Sequence, residues 1–327
     1  LNKAPRMTGG DVGSPALPPL LRRLGPGLAG LLSLILFLSL PGLPLLGVFT
    51  AVLSPLPLVQ LLAASGSSVL GWGWVLVALV GVALGTAWPA VIAVAAGYLL
   101  VAAWPALSVE LWMRHRWSSG RWLALVTGGA LAVLAGVFVA LSYPEAPSAV
   151  MERLLAPWAA ASPGLAGLMG VSRWSGEDMI AAAVAAVSTL APALGALYVT
   201  AVALWLRPRL PMLGLPVGQE RFATFTSEEW LPLAFILGGL GWVFSAGFAK
   251  WFSVNLLVAV LGLYFVHGLA IIHHYLGRRL ASKRLVRLAV GLLAVQMPVA
   301  LAVAAAGLTD AFVRLRRGGD DDEESTQ

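Results

Sequence analysis

Long apolar runs separated by short polar connections dominate this chain. The runs cover about residues 28–40, 45–64, 69–86, 89–108, 122–141, 179–206, 231–248, 254–276 and 288–308. A helix needs roughly 20 apolar residues to cross the hydrocarbon of a bilayer. The pattern therefore predicts an all-α fold, a polytopic transmembrane helix bundle of about 8–9 spans. Prolines interrupt it at Pro41, Pro44, Pro55, Pro57 and Pro192. Each removes a backbone donor and kinks or breaks a helix, so broken or kinked helices are expected near Pro55/Pro57 and Pro192. In lipid such breaks persist only where protein or water satisfies the freed carbonyls. The Ser54-Pro55-Leu56-Pro57 segment should therefore face other helices.

The connections carry their own signals. Val150, Leu154, Leu155 and Trp158 fall at helical spacing opposite Glu152 and Arg153, which reads as an extracytoplasmic amphipathic segment over about 146–160. Glu177 and Asp178 suit the first turn of the 179–206 run, where the helix dipole favours negative charge. Thr226-Ser227-Glu228-Glu229 has the spacing of a capping box, with Thr226 as cap and Glu229 three residues on. Pro232 then sits early in the next helix, where its missing donor costs little. These readings give a polar arm over 1–20, flexible and cytoplasmic, one transmembrane domain over 21–317, and an acidic disordered tail over 318–327.

Composition sharpens the class. Hydrophobic residues make up 59% and charged residues 11% of the chain, against about 25% charged in soluble domains. The Lys and Arg residues concentrate in 1–23, 114–121, 207–221 and 278–287. The positive-inside rule places those segments, and the N-terminus, on the cytoplasmic side. Nine crossings would then put Arg314, Arg316 and Arg317 outside, against the rule. No basic patch with interleaved aromatics lies on a soluble segment, so nucleic acid is not an expected partner. Cysteine is absent, which excludes disulfides, thiolate catalysis and Cys-ligated metals.

Polar residues recur in an ordered way only between Trp230 and Arg317. His267 lies near the middle of its run, and intramembrane ionisable groups mark functional sites by default. His273 and His274 sit at the cytoplasmic end of the same run and read as interfacial anchors. Asn255 opens that run, as a cap, an interhelical hydrogen-bonding group or a pocket residue. Asp310 and Arg314 are four apart, the spacing of a helical ion pair. Gln60, Gln296 and Glu110 are isolated, without an identifiable partner. No Walker loop, H-E-x-x-H, G-x-S-x-G or paired intramembrane acids are present. No catalytic residue, metal site or cofactor is assigned, and an enzyme is not expected.

The order Trp230-Leu231-Pro232, Asn255-Leu256-Leu257, Tyr264-Phe265-Val266-His267-Gly268 and Thr309-Asp310-Ala311-Phe312 with Arg314 resembles the YybS-like family of uncharacterised bacterial membrane proteins. Trp230, Pro232, Gly268, Asp310 and Arg314 are the signature positions that the resemblance implies. Gln often stands in that family where this chain has His267. The family is in turn distantly similar to the S components of energy-coupling-factor transporters, which bind small nutrients and dock on a transmembrane coupling subunit through small residues of the first helix. Ala29 and Ser33 are the corresponding small pair here.

Two readings follow. The first is a small-molecule binding or transport component of the bacterial inner membrane, with Asn255, Tyr264 and His267 lining a pocket and a coupling subunit as partner. The alternative is a non-transporting membrane scaffold for envelope assembly or division. A polar-lined cavity at those residues favours the first, and dry packing around them favours the second.

Overall fold

The computed structural model describes residues 25–42, 44–65, 94–142, 176–213, 215, 222–279, 291 and 297–313. Among the described residues every regular element is helical: α1 (Pro26–Gly42), α2 (Pro44–Ala51), α3 (Pro55–Ser65), α4 (Val94–His115), α5 (Ser119–Ser142), α6 (Gly176–Leu206), α7 (Leu231–Phe244), α8 (Gly247–Arg279) and α9 (Met297–Val313). Segments of α4, α5, α6 and α8 are long and apolar enough to cross a membrane, and α1, α7, α9 and the 49–63 stretch are shorter apolar helices. The chain is an all-α membrane protein. The arm over 1–20, the 146–160 segment, Gln296, Arg314 and the acidic tail lie outside the described residues.

Two compact units divide the chain. The first comprises residues 1–115 and 202–218, the second 116–201 and 219–327.

In the first unit the proline pattern acts as expected. α2 ends at Ala51 and α3 begins at Pro55, with a turn between them. The Ser54 carbonyl at this break accepts the Ser33 hydroxyl from α1 at 2.6 Å, and Ser33 Oγ also lies 2.9 Å from Tyr98 Oη on α4. All three side chains are buried. A carbonyl exposed to lipid by the break would cost several kcal/mol, so the segment is held against its neighbours. α4 contains a π-helical stretch, Leu99–Ala103, directly before Pro105, with Trp104 N–H donating to Leu99 O. Pro105 has no N–H to continue the α-helical ladder, and the wider turn absorbs the defect. Glu110 is buried beside Arg114, with Nη2 2.6 Å from its Oε1, so a residue without a legible partner has one a single turn away.

Ala29 and Ser33 are fully buried inside the first unit, and Ser33 is hydrogen-bonded there. The small pair packs α1 against its own neighbours.

In the second unit α8 is the central helix. At 33 residues it is about 50 Å long. α7 precedes it as an antiparallel hairpin partner, turning through Ser245 and through Gly247 at φ +57°. α6 runs parallel to α8, since Asn255 meets Thr189 and Ala193 while Gly262 lies against Leu197. α5 joins α6 through a buried Thr127–Thr200 hydrogen bond of 2.7 Å.

α9 lies antiparallel to α8 at backbone contact. A Cβ on Gly268 would sit 1.9 Å from the Val303 carbonyl oxygen, and one on Gly307 2.0 Å from that of Tyr264. Only glycine permits this approach, the membrane form of close helix packing.

Candidate functional site: a polar chamber at His267

The close α8–α9 contact sets the geometry of the site. His267 is adjacent to Gly268, and Asp310 stands one turn beyond Gly307. With the two backbones touching, their side chains meet: His267 Nε2 is 2.8 Å from Asp310 Oδ2. Both are nearly out of solvent, at 2% and 6% exposed. The other ring nitrogen, Nδ1, is 3.0 Å from Ser227 Oγ in the segment before α7. A carboxylate only accepts, so Nε2 carries the hydrogen of the Asp310 bond, and in the neutral ring Nδ1 then accepts from the Ser227 hydroxyl. Phe225, itself buried, stands edge-on to the His267 ring with centroids 6.2 Å apart and fixes its plane.

Ser227 reaches His267 because the chain before α7 is not capped as its spacing suggests. α7 starts at Leu231, its cap residue is Trp230, and no side chain caps it. The capping-box expectation for Thr226 and Glu229 is therefore corrected. The physical reason is where the helix starts: Thr226 and Glu229 both precede the cap residue, and the side chains between them hold the segment in place. Ser227 bonds His267, and Glu228 Oε1 accepts the Ser118 hydroxyl from the residue before α5. Ser118 Oγ in turn accepts the Arg121 N–H at 3.0 Å, capping α5. The segment lies hard against the start of α5, where a Cβ on Gly120 would fall 2.3 Å from the Thr226 carbonyl oxygen.

These groups surround a cavity of about 980 Å³. Its walls are Ser118 from just before α5, Thr226 to Trp230 with Pro232 from the α7 entry, His267 from α8, and Asp310 with Ala311 from α9. The volume is that of a small-molecule site. Irregular backbone among membrane helices is tolerated where it is buried in protein or lines a water-filled cavity, which accounts for a polar, non-helical stretch beside an apolar bundle. Glu228, Glu229 and Asp310 give the chamber an acidic lining.

Of the residues singled out in the sequence, Trp230, Pro232, His267 and Asp310 line the chamber, and Gly268 sets the helix approach behind it. Asp310 finds its described partner in His267 on α8. Its sequence partner Arg314 lies outside the described residues.

Asn255 and Tyr264 sit elsewhere. Asn255 is fully buried and its carboxamide braces α6 beside Pro192. Oδ1 accepts the Ala193 N–H at 3.0 Å, and Nδ2 donates to the Thr189 carbonyl at 2.9 Å and to the Trp251 carbonyl at 2.9 Å. Thr189 and Ala193 flank Pro192, whose missing N–H leaves the helix one donor short there. Tyr264 is fully buried, edge-on to Phe235 at 6.4 Å, and its hydroxyl has no hydrogen-bond partner among the described residues. His273 lies edge-on to Phe222 at 5.8 Å and His274 to Tyr275 at 5.5 Å. Neither lines the chamber.

Ser118, Ser227 and Glu228 carry no site assignment in the sequence reading. Their only signal is the dense polar run placed directly before Trp230-Leu231-Pro232. Among the described residues, no group of three or more His, Cys, Asp or Glu side chains is arranged to hold a metal ion.

Residues 167–311 match the model of a family described as "Predicted membrane protein (DUF2232)". The matched stretch contains α6 to most of α9 and therefore most of the chamber. No curated protein and no solved structure matches the chain. The matched description agrees with the architecture: the chain is a membrane protein of several apolar helices, similar over this stretch to a family of membrane proteins.

Proposed function

We propose that the second unit is a small-molecule binding component of a membrane, with transport as the process it serves. One observation carries this reading. A line of ionisable and hydroxyl groups, Asp310 to His267 to Ser227, is held among apolar helices along the wall of a chamber of ligand size. Ionisable residues held inside a membrane bundle are costly and mark ligand or proton pathways.

The lining points to the ligand class. Hydroxyls from Ser118, Thr226 and Ser227 stand beside Glu228 and Glu229, with the Trp230 ring at the edge. A molecule bearing hydroxyl or ammonium groups and one apolar face matches that set. The chain carries no nucleotide-binding motif, so energy for any transport would come from a partner.

The test is purification from native membranes followed by mass spectrometry of extracted small molecules. The wild-type protein is expected to retain one at near-stoichiometric amount, and Ser227→Trp, which fills the chamber, is expected to lose it. Equal amounts in both, or no retained molecule in either, would overturn the reading.

A further inference from the structure

We propose that Ser227, His267 and Asp310 form an acyl-transfer centre that hydrolyses a membrane-soluble carboxylic ester, with Ser227 as the nucleophile. The inference rests on the chamber of the proposed binding function and goes beyond binding.

Four features carry it. The order of groups is that of an activated serine: hydroxyl to imidazole at 3.0 Å, imidazole to carboxylate at 2.8 Å. The burial gradient runs the right way, because Ser227 is half-buried at the cavity while His267 and Asp310, which also touch it, are almost fully enclosed. The hydroxyl is also not committed to a helix cap, since α7 begins without one. The backbone N–H groups of Glu228 and Glu229 follow the nucleophile directly and have no acceptor among the described residues. They are the donors available to a tetrahedral oxyanion.

The step closes without an added oxidant or cofactor. The Ser227 proton moves to His267 Nδ1 as Oγ bonds the acyl carbon. The carbon–oxygen bond to the leaving alcohol breaks, and that alcohol takes the proton from Nδ1. Water then attacks the acyl-serine, passes a proton to Nδ1, and the acid departs as Ser227 recovers its hydrogen. Asp310 holds Nε2–H throughout and acts as a positioning residue. The substrate class follows from the surroundings. Trp230, Leu233 and Leu237 expose apolar surface at the α7 entry, suiting a hydrocarbon acyl group. The Glu228 and Glu229 side suits an alcohol with hydroxyl or ammonium groups.

An alkyl fluorophosphonate reports on the nucleophile without the natural substrate. Phosphonylation of Ser227 expels fluoride and takes up the serine proton at His267, so labelling of the full-length protein in membranes reads the same activation. The expected result is a single adduct on the Ser227 peptide, absent in Ser227→Ala and slowed at least roughly 100-fold in His267→Gln. Asp310→Asn is expected to slow labelling by roughly 1000-fold and to remove the single-imidazole form of its pH profile, which a packing role would leave in place. Ser227→Cys guards against a variant that fails to fold: its thiol should react with iodoacetamide at least ten times faster than that of Thr226→Cys. Absence of the Ser227 adduct in folded protein, or labelling unchanged by His267→Gln, would overturn the proposal. Either result would leave the retained-ligand test of the binding reading intact.

Discussion

Asn255 and His267 lie on the same helix, twelve residues and about 18 Å apart, and both are buried polar side chains. Their hydrogen bonds end in different places. Every polar atom of the Asn255 carboxamide is answered by backbone of α6 or α8, and the result is a helix braced at its proline. The His267 ring is answered by two side chains, both of which line a chamber. A closed set of bonds gives stability alone. A set that ends at a cavity can change partner when a ligand arrives. Polarity among apolar helices therefore does not by itself announce a site; where the last hydrogen bond goes decides it.

The contrast can be broken in graded ways. The largest effect is expected from Gly307→Leu, whose Cβ has no space against the Tyr264 carbonyl and whose bulk drives α9 from α8. A loss of about 3 kcal/mol or more is expected from such overpacking, together with loss of the His267–Asp310 pair. Thermal melting in detergent, read beside fluorophosphonate labelling, should show both losses together.

Asn255→Leu comes next. It leaves the Ala193 N–H and the Thr189 carbonyl unanswered, at about 1–3 kcal/mol. The chamber is expected to survive, so labelling below the melting transition should match the wild type. A chamber lost at full stability would reverse the roles assigned to the two residues.

Gly120→Ala should act the other way round. Its methyl group meets the Thr226 carbonyl and must shift the 226–230 segment, so ligand retention falls while melting changes by about 1 kcal/mol. The smallest effect is expected from Ser118→Ala, which removes a cap of α5 and the bond to Glu228. About 1 kcal/mol is typical of a lost cap, with retention reduced but present.

Much of the fold is legible in the sequence because a bilayer demands long apolar runs and punishes proline wherever its freed carbonyl is unanswered. The break at Pro55 and the proline inside α6 are visible for that reason. The groups that brace them are less so, since Ser33 is 21 residues from Ser54 and Asn255 is 62 from Ala193. Periodicity records which face is apolar and carries no information about a partner so far away. The chamber was half legible. Trp230, Pro232, His267 and Asp310 stand out as rare groups in apolar runs, and all four line it. Ser227 was hidden because the S/T-x-x-E spacing marks Thr226 and Glu229 and gives no signal for the residue between them, whose partner His267 is 40 residues away. The Asp310–His267 pair is equally out of reach of local spacing, its members lying 43 residues apart.

The absence of cysteine from the natural chain allows the central contrast to be measured directly. Single cysteines at Ser227 and at Asn255, each in the otherwise unchanged protein in native membranes, can be exposed to a water-soluble methanethiosulfonate. The Ser227→Cys thiol is expected to be modified at least ten times faster than that of Asn255→Cys, and to be protected when the chamber is occupied. Equal reactivity at the two positions, or a protected Ser227→Cys in the empty protein, would contradict the open chamber at His267.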